Sequence, residues 1–380
     1  GTHVASTAAG NVLTAVVQAP TTVVTRTISG VAPHANIIAY SIEGTPGAGS
    51  APGSNIVAAF EQVIKDGVDV VNYSFGGTSV ASPWSTENLV YARVRFAGIF
   101  MATSAGNSGP TVGSVSNKPA PWYMAVANST HNRQLENNLI NMEGGSNPPA
   151  NMKGLAFSAG YGPAPIVYAG WYSSVFTQSQ VVGGSLYTPA QLASMCLVPF
   201  PANTFAGQIV VCDRGVIARV DKGANIKAGG AGGHVLVNTS ASQSLNGDAH
   251  YLPTVHLAYA NTLLLRGWLT NTVVQTATIS GFSVNLDEIN GDVMSASSSR
   301  GPSLASPTLL KPDITAPGTD ILAAVADGTT TPDGEAEFDF YSGTSMASPH
   351  VAGAAALVRK LHPDWTAAEV QSALMTTALS

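Results

Sequence analysis

Apolar runs alternate with helical patterns over the first third of the chain. Residues 55–64 repeat apolar positions every three or four residues and stop before Gly67, which predicts a helix. A second helical pattern covers residues 88–97, and short apolar runs at 36–40, 69–75 and 99–103 predict buried strands. Strands that alternate with helices in this order form a parallel sheet with helices on its faces, so the expected fold class is α/β.

The pattern changes near Asn137. From there to about residue 291, Gly, Asn, Pro and Ser interrupt short β-type runs at 165–168, 208–211, 233–237 and 273–279, with a helical pattern at 218–228. After residue 293 the α/β pattern returns, and a long helix is predicted over 345–361 with Pro349 near its start. These patterns predict an α/β domain that is split by a mainly-β insertion with one or two helices.

Composition excludes several classes of protein. The 380 residues are 45% hydrophobic and 10% charged, with a formal net charge of −6. Disordered chains combine low hydrophobicity with high net charge, so this chain is expected to fold, and its length fits about two domains. A negative charge without a basic run disfavours nucleic acids and anionic membranes as partners. No apolar run approaches the ~18–20 residues that span a bilayer.

The two cysteines, Cys196 and Cys212, lie 16 positions apart in the sequence. Neither has the neighbouring Cys or His of a zinc site, and two are too few for a disulfide scaffold. Two interpretations remain: a pair of buried thiols in a cytosolic protein, or a single disulfide within the insertion. We favour the disulfide, which requires an oxidising compartment.

Residues 343–349 place Ser345 at the entry of an apolar helix, between small residues. The unpaired N–H groups of a helix N-terminus would stabilise an oxyanion formed at this serine. The same local pattern also fits an ordinary N-cap serine. It does not fit the G-x-S-x-G elbow of α/β-hydrolases, because Ala347 stands where the second glycine would be.

Two further segments follow predicted strands. Asn107 lies between glycines, where it is either a left-handed turn residue or an amide donor directed at an oxyanion. Residues 73–77 end a strand without bulky side chains, and such a strand end accepts an extended peptide as an added strand.

Together these segments resemble those of the subtilisin-like serine proteases, the subtilases. Residues 343–353 resemble the catalytic-serine signature, 104–109 the oxyanion-asparagine segment, 72–77 the substrate-binding strand, and 1–5 the tail of the histidine motif H-G-T-H-V-A. The resemblance implies that Ser345 is the nucleophile and Asn107 the side-chain oxyanion donor. It also implies two walls of a primary specificity pocket: Ser74, Phe75 and Gly76 on one side, and Ser104, Ala105 and Gly106 on the other.

The insertion resembles a protease-associated domain of plant-type and some bacterial subtilases. The resemblance rests on F-A-G-Q-I-V-V-C-D-R-G at 205–215, a glycine-rich run at 228–233, and exit segments at 298–302 and 311–318. Subtilases without the insertion run almost directly from a segment like 126–133 to one like 295–302. The implied boundaries are 1–133 and 293–380 for the catalytic domain and 134–292 for the insertion, with a core at about 163–280.

The chain departs from the family at its start. The catalytic base of the family is the first histidine of H-G-T-H, and the chain opens at the glycine that follows it, while the D-T/S-G segment with the aspartate lies further upstream. His3 is therefore expected to be a packed helix residue, and His350 lies on the helix of Ser345 and cannot reach back to it. A serine without its base is a weak nucleophile, so this fragment is expected to be nearly inert.

Two classes of function remain after this reasoning. The favoured one is a secreted serine endopeptidase that acts on polypeptides through an acyl-enzyme on Ser345 and needs no cofactor for catalysis. The alternative is a catalytically inactive subtilase-fold protein that uses the insertion to recognise partners. A structural calcium ion is compatible with the family, but the sequence contains no calcium-binding motif, because Asp327 and Asp333 lie in a polar loop that does not fit one. The sequence does not indicate an oligomeric state.

Overall fold

The structure, a computed structural model, describes residues 1–45, 50–77, 79–115, 117–326 and 337–379, so the loop with Asp327 and Asp333 lies outside the described residues. The α-helices of these residues are, in chain order, α1 Thr2–Ala9, α2 Gly53–Asp66, α3 Thr86–Phe96, α4 Pro189–Ser194, α5 Arg219–Ala228, α6 Tyr259–Trp268, α7 Thr344–Leu361 and α8 Ala367–Thr376. The strands are β1 Leu13–Ala19, β2 Thr22–Ile28, β3 Val70–Tyr73, β4 Phe100–Ser104, β5 Met124–Ser129, β6 Arg133–Glu136, β7 Leu139–Glu143, β8 Tyr161–Tyr168, β9 Gln180–Val182, β10 Ser185–Tyr187, β11 Ile209–Asp213, β12 Gly233–Val237, β13 Thr254–Leu257, β14 Thr276–Ile279, β15 Ser283–Leu286, β16 Ile314–Pro317, β17 Ile321–Ala324 and β18 Phe338–Tyr341. Short 3₁₀ segments cover Ala169–Val175 and Glu288–Asn290.

The chain divides into two compact units. Unit 1 comprises Gly1–Ala15, Thr25–His131 and Gly291–Ser380, and unit 2 comprises Val16–Val24 and Asn132–Asn290. Within the part of the chain that the structure describes, no helix is both long and apolar enough to cross a membrane.

Unit 1 is built on a parallel sheet of four strands in the order β16-β5-β4-β3. Side chains of β4 alternate between its two faces: Met101 packs in the apolar cluster formed with α2 and α3, while Phe100 and Ala102 pack in the cluster formed with α7 and α8. Helices therefore cover both faces, which is why the central strands are apolar throughout. The predicted α/β class and parallel sheet are confirmed, and α2 ends at Gly67 in the left-handed conformation as the sequence predicts.

One predicted strand is wrong. Residues 36–40 are not hydrogen-bonded into a sheet, and Ile37 and Ile38 are 52% and 54% exposed. β3 is the edge strand of the four-stranded sheet of the described residues, but residues 36–40 make no ladder hydrogen bonds with it, and an apolar run becomes a strand only where such bonds form. An apolar groove of about 310 Å³ is lined both by Ile38 and Tyr40 of this run and by residues of β3.

Unit 2 is built on a six-stranded sheet in the order β13-β12-β11-β8-β14-β7. Strands β8, β11, β12 and β13 are parallel, and β14 runs antiparallel to β8 and β7. Its described residues include α4, α5 and α6, one helix more than the sequence predicts. The pattern at 218–228 corresponds to α5, whereas α4 and α6 were not located from the sequence. Helix α6 buries Thr262, Leu265 and Trp268 at a spacing of three residues, and this periodicity was the available signal.

The disulfide between Cys196 and Cys212 is present in unit 2. Both cysteines are fully buried in one apolar cluster with Phe200, Phe205 and Ile226. The predicted pairing is confirmed, and the alternative of two free thiols is excluded for this structure.

Candidate active site

The ends of two neighbouring strands bring the predicted pocket walls together. In the parallel pair β3 and β4, Tyr73 lies opposite Thr103, so Ser74 and Ser104 follow at the same edge of the sheet. The hydroxyl of Thr103 donates a hydrogen bond to the Tyr73 carbonyl, 2.9 Å away, and ties the two ends to each other. Active sites of parallel sheets form at this carboxyl edge.

Helix α7 starts with Gly343 as its N-cap, and Ser345 is its second residue. Gly343 has a φ of +153°, which a residue with a side chain rarely adopts. A Cβ at this position would lie 3.3 Å from the amide nitrogen of Asn107. Glycine thus allows the helix to begin close to Asn107.

The amide of Asn107 is anchored through its oxygen. Its Oδ1 accepts hydrogen bonds from the backbone N–H and the hydroxyl of Thr344, each at 2.9 Å. The same hydroxyl accepts a hydrogen bond from the Gly106 N–H at 3.2 Å. Among the described contacts Nδ2 has no partner. The donating end of the amide is therefore free, close to the first turn of α7 that carries Ser345.

A chain of three hydrogen bonds holds the backbone of Ser345. The Ser74 hydroxyl donates to the Ser345 carbonyl at 2.8 Å, and Asn72 Nδ2 donates to the Ser74 hydroxyl at 3.0 Å. Ser348 Oγ in turn donates to Asn72 Oδ1 at 2.6 Å. The Ser345 hydroxyl donates to the Ser74 carbonyl at 3.4 Å, so the two serines are bonded through side chain and main chain alike.

Proline explains why the Ser345 carbonyl needs this outside donor. In an α-helix, the carbonyl of residue 345 would accept from the N–H of residue 349, and Pro349 has none. Sequence reasoning assigned roles to Ser74 and Ser345 but missed Asn72 and Ser348. Pro349, four residues after Ser345, was the signal that a donor had to come from another segment.

All 380 residues match one family model, that of the Subtilase family. This chain belongs to the subtilase family. Subtilisin-like proteases SBT1.7 and SBT1.4 of Arabidopsis thaliana are each 36% identical to it, and the alignments cover 100% of this chain but 48% and 47% of theirs. The chain thus spans about half the length of the curated relatives it matches.

A solved structure is also similar to this subtilase. The psychrophilic subtilisin-like protease Apa1 from Pseudoalteromonas sp. AS-11 shares 20% sequence identity with a TM-score of 0.40, over 100% of this chain and 78% of that chain.

Three histidines of unit 1 in this subtilase make hydrogen bonds away from the Ser345 hydroxyl. His3 is 4% exposed, bonds through Nε2 to the Ile321 carbonyl at 2.9 Å, and stacks on Tyr341 at 4.6 Å between ring centroids. Burial lowers the pKa of His3, which keeps the ring neutral. His350 bonds through Nδ1 to the Met346 carbonyl at 2.8 Å, and His131 contacts the Asp320 carbonyl. His3 is the packed helix residue that the sequence predicts.

The carboxylate of Asp313 joins two segments of unit 1. Its Oδ2 accepts from Lys311 Nζ and from the Ala125 N–H, both at 2.6 Å, and so joins the segment before β16 to β5. Burial raises the pKa of Asp313 and lowers the pKa of Lys311, and each charge offsets the cost of burying the other. Across the described residues, no three His, Cys, Asp or Glu side chains converge on a metal site.

Proposed function

We propose that this chain is part of a serine endopeptidase that hydrolyses peptide bonds of proteins through an acyl-enzyme on Ser345. The observation that carries the proposal is the placement of Ser345 at the start of α7, next to an Asn107 amide whose oxygen is already bonded to Thr344. Attack by the Ser345 hydroxyl on a peptide carbonyl develops negative charge on the carbonyl oxygen. The free Nδ2 of Asn107 and the first N–H groups of α7 are the donors for that charge.

The proposed reaction needs a base and no cofactor. The base takes the proton from Ser345 Oγ as the new C–O bond forms, and returns it to the leaving amine when the peptide C–N bond breaks. Water then hydrolyses the acyl-enzyme by the same route. Because His3, His131 and His350 are bonded elsewhere, the catalytic histidine and aspartate are proposed to belong to the longer protein and to lie outside these 380 residues.

The proposed substrate is an extended polypeptide. It would add as a strand along residues 74–76, and the side chain before the scissile bond would enter between the walls formed by Ser74, Phe75 and Gly76 and by Ser104, Ala105 and Gly106. Gly76 supports such an approach, because it is exposed and has no Cβ that would obstruct a peptide backbone.

Unit 2 is proposed to be an inserted domain of the protease-associated type, and the protein to be secreted. The disulfide between Cys196 and Cys212 supports this location, because disulfides form and persist in oxidising compartments. Neither nucleic acid nor membrane is a proposed partner.

Labelling with a fluorophosphonate, which reacts with activated serines, tests the proposal. The full-length protein should be labelled at Ser345 rapidly and stoichiometrically, and its Ser345→Ala variant should not. The 380-residue chain, checked for cooperative melting, should react far more slowly because it lacks the base. A full-length protein that neither reacts nor cleaves peptides would favour the alternative of an inactive binding protein. Rapid labelling of the 380-residue chain would mean that its own histidines supply the base.

A further inference from the structure

Lys118 lies against the pocket wall formed by residues 74–76. Its side chain is buried, at 5% exposure, and Nζ donates a hydrogen bond to the Phe75 carbonyl at 2.9 Å. Nζ also lies 4.9 Å from the centroid of the Tyr73 ring. A Cβ on Gly76 would be only 3.2 Å from this nitrogen, so the ammonium group is in direct contact with the main chain of the wall.

The neighbouring Asn117 lies close to both walls. Its Nδ2 donates to the Gly77 carbonyl, just beyond the first wall. Its Oδ1 lies 4.0 Å from the position of a Cβ on Gly106, in the second wall. Asn117 therefore lies between Gly77 and Gly106, and Lys118 lies beside it in the chain and against Phe75 and Gly76.

No carboxylate of the described residues pairs with the charge of Lys118. The salt bridges among the described residues do not include it. Burial lowers its pKa to about 8, a shift that Glu87 opposes from a longer distance, so the amine still carries its proton at neutral pH. Within the described part of the chain, the hydrogen bond and ring contact of this cation are to the Phe75 carbonyl and the Tyr73 ring, so the buried charge retains a large unmet demand for negative charge. A carboxylate brought in by a ligand would meet it.

We propose that Lys118 makes this pocket selective for an acidic side chain, aspartate or glutamate, at the residue whose carbonyl Ser345 attacks. The inference rests on the proposed function, since it assigns the substrate class of the same site. A carboxylate between the walls would pair with the ammonium group in a water-poor space, where such a pair discriminates strongly against the uncharged amide of the same shape.

The test compares substrates that differ only in that charge. The full-length protein is assayed on matched peptides with Glu or Gln, and with Asp or Asn, before the scissile bond. We expect kcat/KM for the acidic member of each pair to be at least about tenfold higher. Lys118→Met should bring both ratios to about one or below. Lys65→Met, which removes an exposed lysine of α2, should leave them unchanged. Ratios near one in the wild-type protein, or ratios that survive Lys118→Met, would overturn the inference.

Binding without turnover separates this inference from the proposed function. The full-length Ser345→Ala variant is titrated with the same fluorescent peptides, and the Glu peptide should bind at least about tenfold more tightly than the Gln peptide. Equal affinities would show that Lys118 only supports the Phe75 carbonyl. A protein that cleaves no peptide but still distinguishes Glu from Gln would contradict the protease proposal and retain the acidic pocket.

Discussion

The hydroxyl of Ser74 donates a hydrogen bond to the carbonyl of Ser345, 2.8 Å away, in the position that the absent N–H of Pro349 leaves open. The strand end that is proposed to receive the substrate thereby also holds the backbone of the proposed nucleophile. Asn72 and Ser348 orient the Ser74 hydroxyl for this bond. Strand β3 and the first turn of α7 are thus joined by a continuous chain of hydrogen bonds from Ser348 through Asn72 and Ser74 to the Ser345 carbonyl.

Ser74→Ala should lower both stability and turnover. The Ser345 carbonyl would lose its donor, which costs about 1 kcal/mol in the free energy of unfolding. A nucleophile held less firmly should reduce kcat of the full-length protein by about tenfold, equivalent to about 1.4 kcal/mol in the activation barrier. Ser74→Thr keeps the hydroxyl and should restore most of the loss, while Ser54→Ala on the exposed face of α2 serves as the control. An unchanged kcat in Ser74→Ala would limit the bond to a structural role.

Two substitutions of Asn107 should separate its two functions. Asn107→Asp keeps an oxygen for the Thr344 N–H but removes the amide donor, and Asn107→Ala removes both. Loss of one oxyanion donor lowers kcat by about 10²–10³ with little change in KM, because the charge exists only in the transition state. We expect this loss in both variants of the full-length protein and a lower melting temperature in Asn107→Ala alone. A raised KM at constant kcat would instead assign Asn107 to substrate positioning.

Removal of the disulfide should destabilise unit 2. In the chain-entropy model, closing a loop of 16 residues stabilises by about 3 kcal/mol. A Cys196→Ala, Cys212→Ala double variant should lose this amount in chemical denaturation followed by a unit 2 signal. Reducing agent should shift the wild-type curve and leave that of the variant in place. A wild-type curve that ignores reducing agent would show that the disulfide adds no stability.

Acid should destabilise unit 2 through three buried histidines, His234, His250 and His256. Burial lowers all three pKa values, that of His250 to about 4 and that of His256 to about 3. The unfolded chain therefore binds more protons than the folded one below about pH 6.5. The contribution of these neutral rings to the free energy of unfolding is fully present above that pH. It is lost as pH falls toward 4, by up to about 1.4 kcal/mol per pH unit for each titrating ring.

Hydrogen–deuterium exchange measured from pH 7 to pH 4 and corrected for the intrinsic pH dependence tests this expectation. Protection of β12 and β13 should decrease over this range. His250→Leu should reduce the decrease, because leucine cannot take up a proton. Within the described residues neither nitrogen of His250 has a hydrogen-bond partner, so the substitution breaks no hydrogen bond. His362→Gln replaces an exposed histidine and is the control. Protection that is independent of pH would contradict the assignment of these rings as neutral and buried.

Local patterns were sufficient for much of the fold. The helix that ends at Gly67, the strands β3, β4 and β12, and the long helix with Pro349 follow from periodicity and from residues that end helices. The pairing of Cys196 with Cys212 followed because the chain has no other cysteine. The helices and strands depend on residues close together in the sequence, and two cysteines allow one pairing within the chain.

Tertiary structure decided what depends on a distant partner. Residues 36–40 have the composition of a buried strand, yet they make no sheet, because they form no ladder hydrogen bonds with the open edge of β3 and a strand requires a partner within bonding distance. Asn72 and Ser348 lie 276 positions apart and meet only when α7 packs beside the end of β3. Nothing in the local sequence distinguishes Lys118 from an exposed loop lysine, and only the fold buries it against the Phe75 carbonyl. Periodicity in the sequence determined most of the helices and strands of unit 1, whereas the pairing of strands and of distant polar groups was determined only by the tertiary structure.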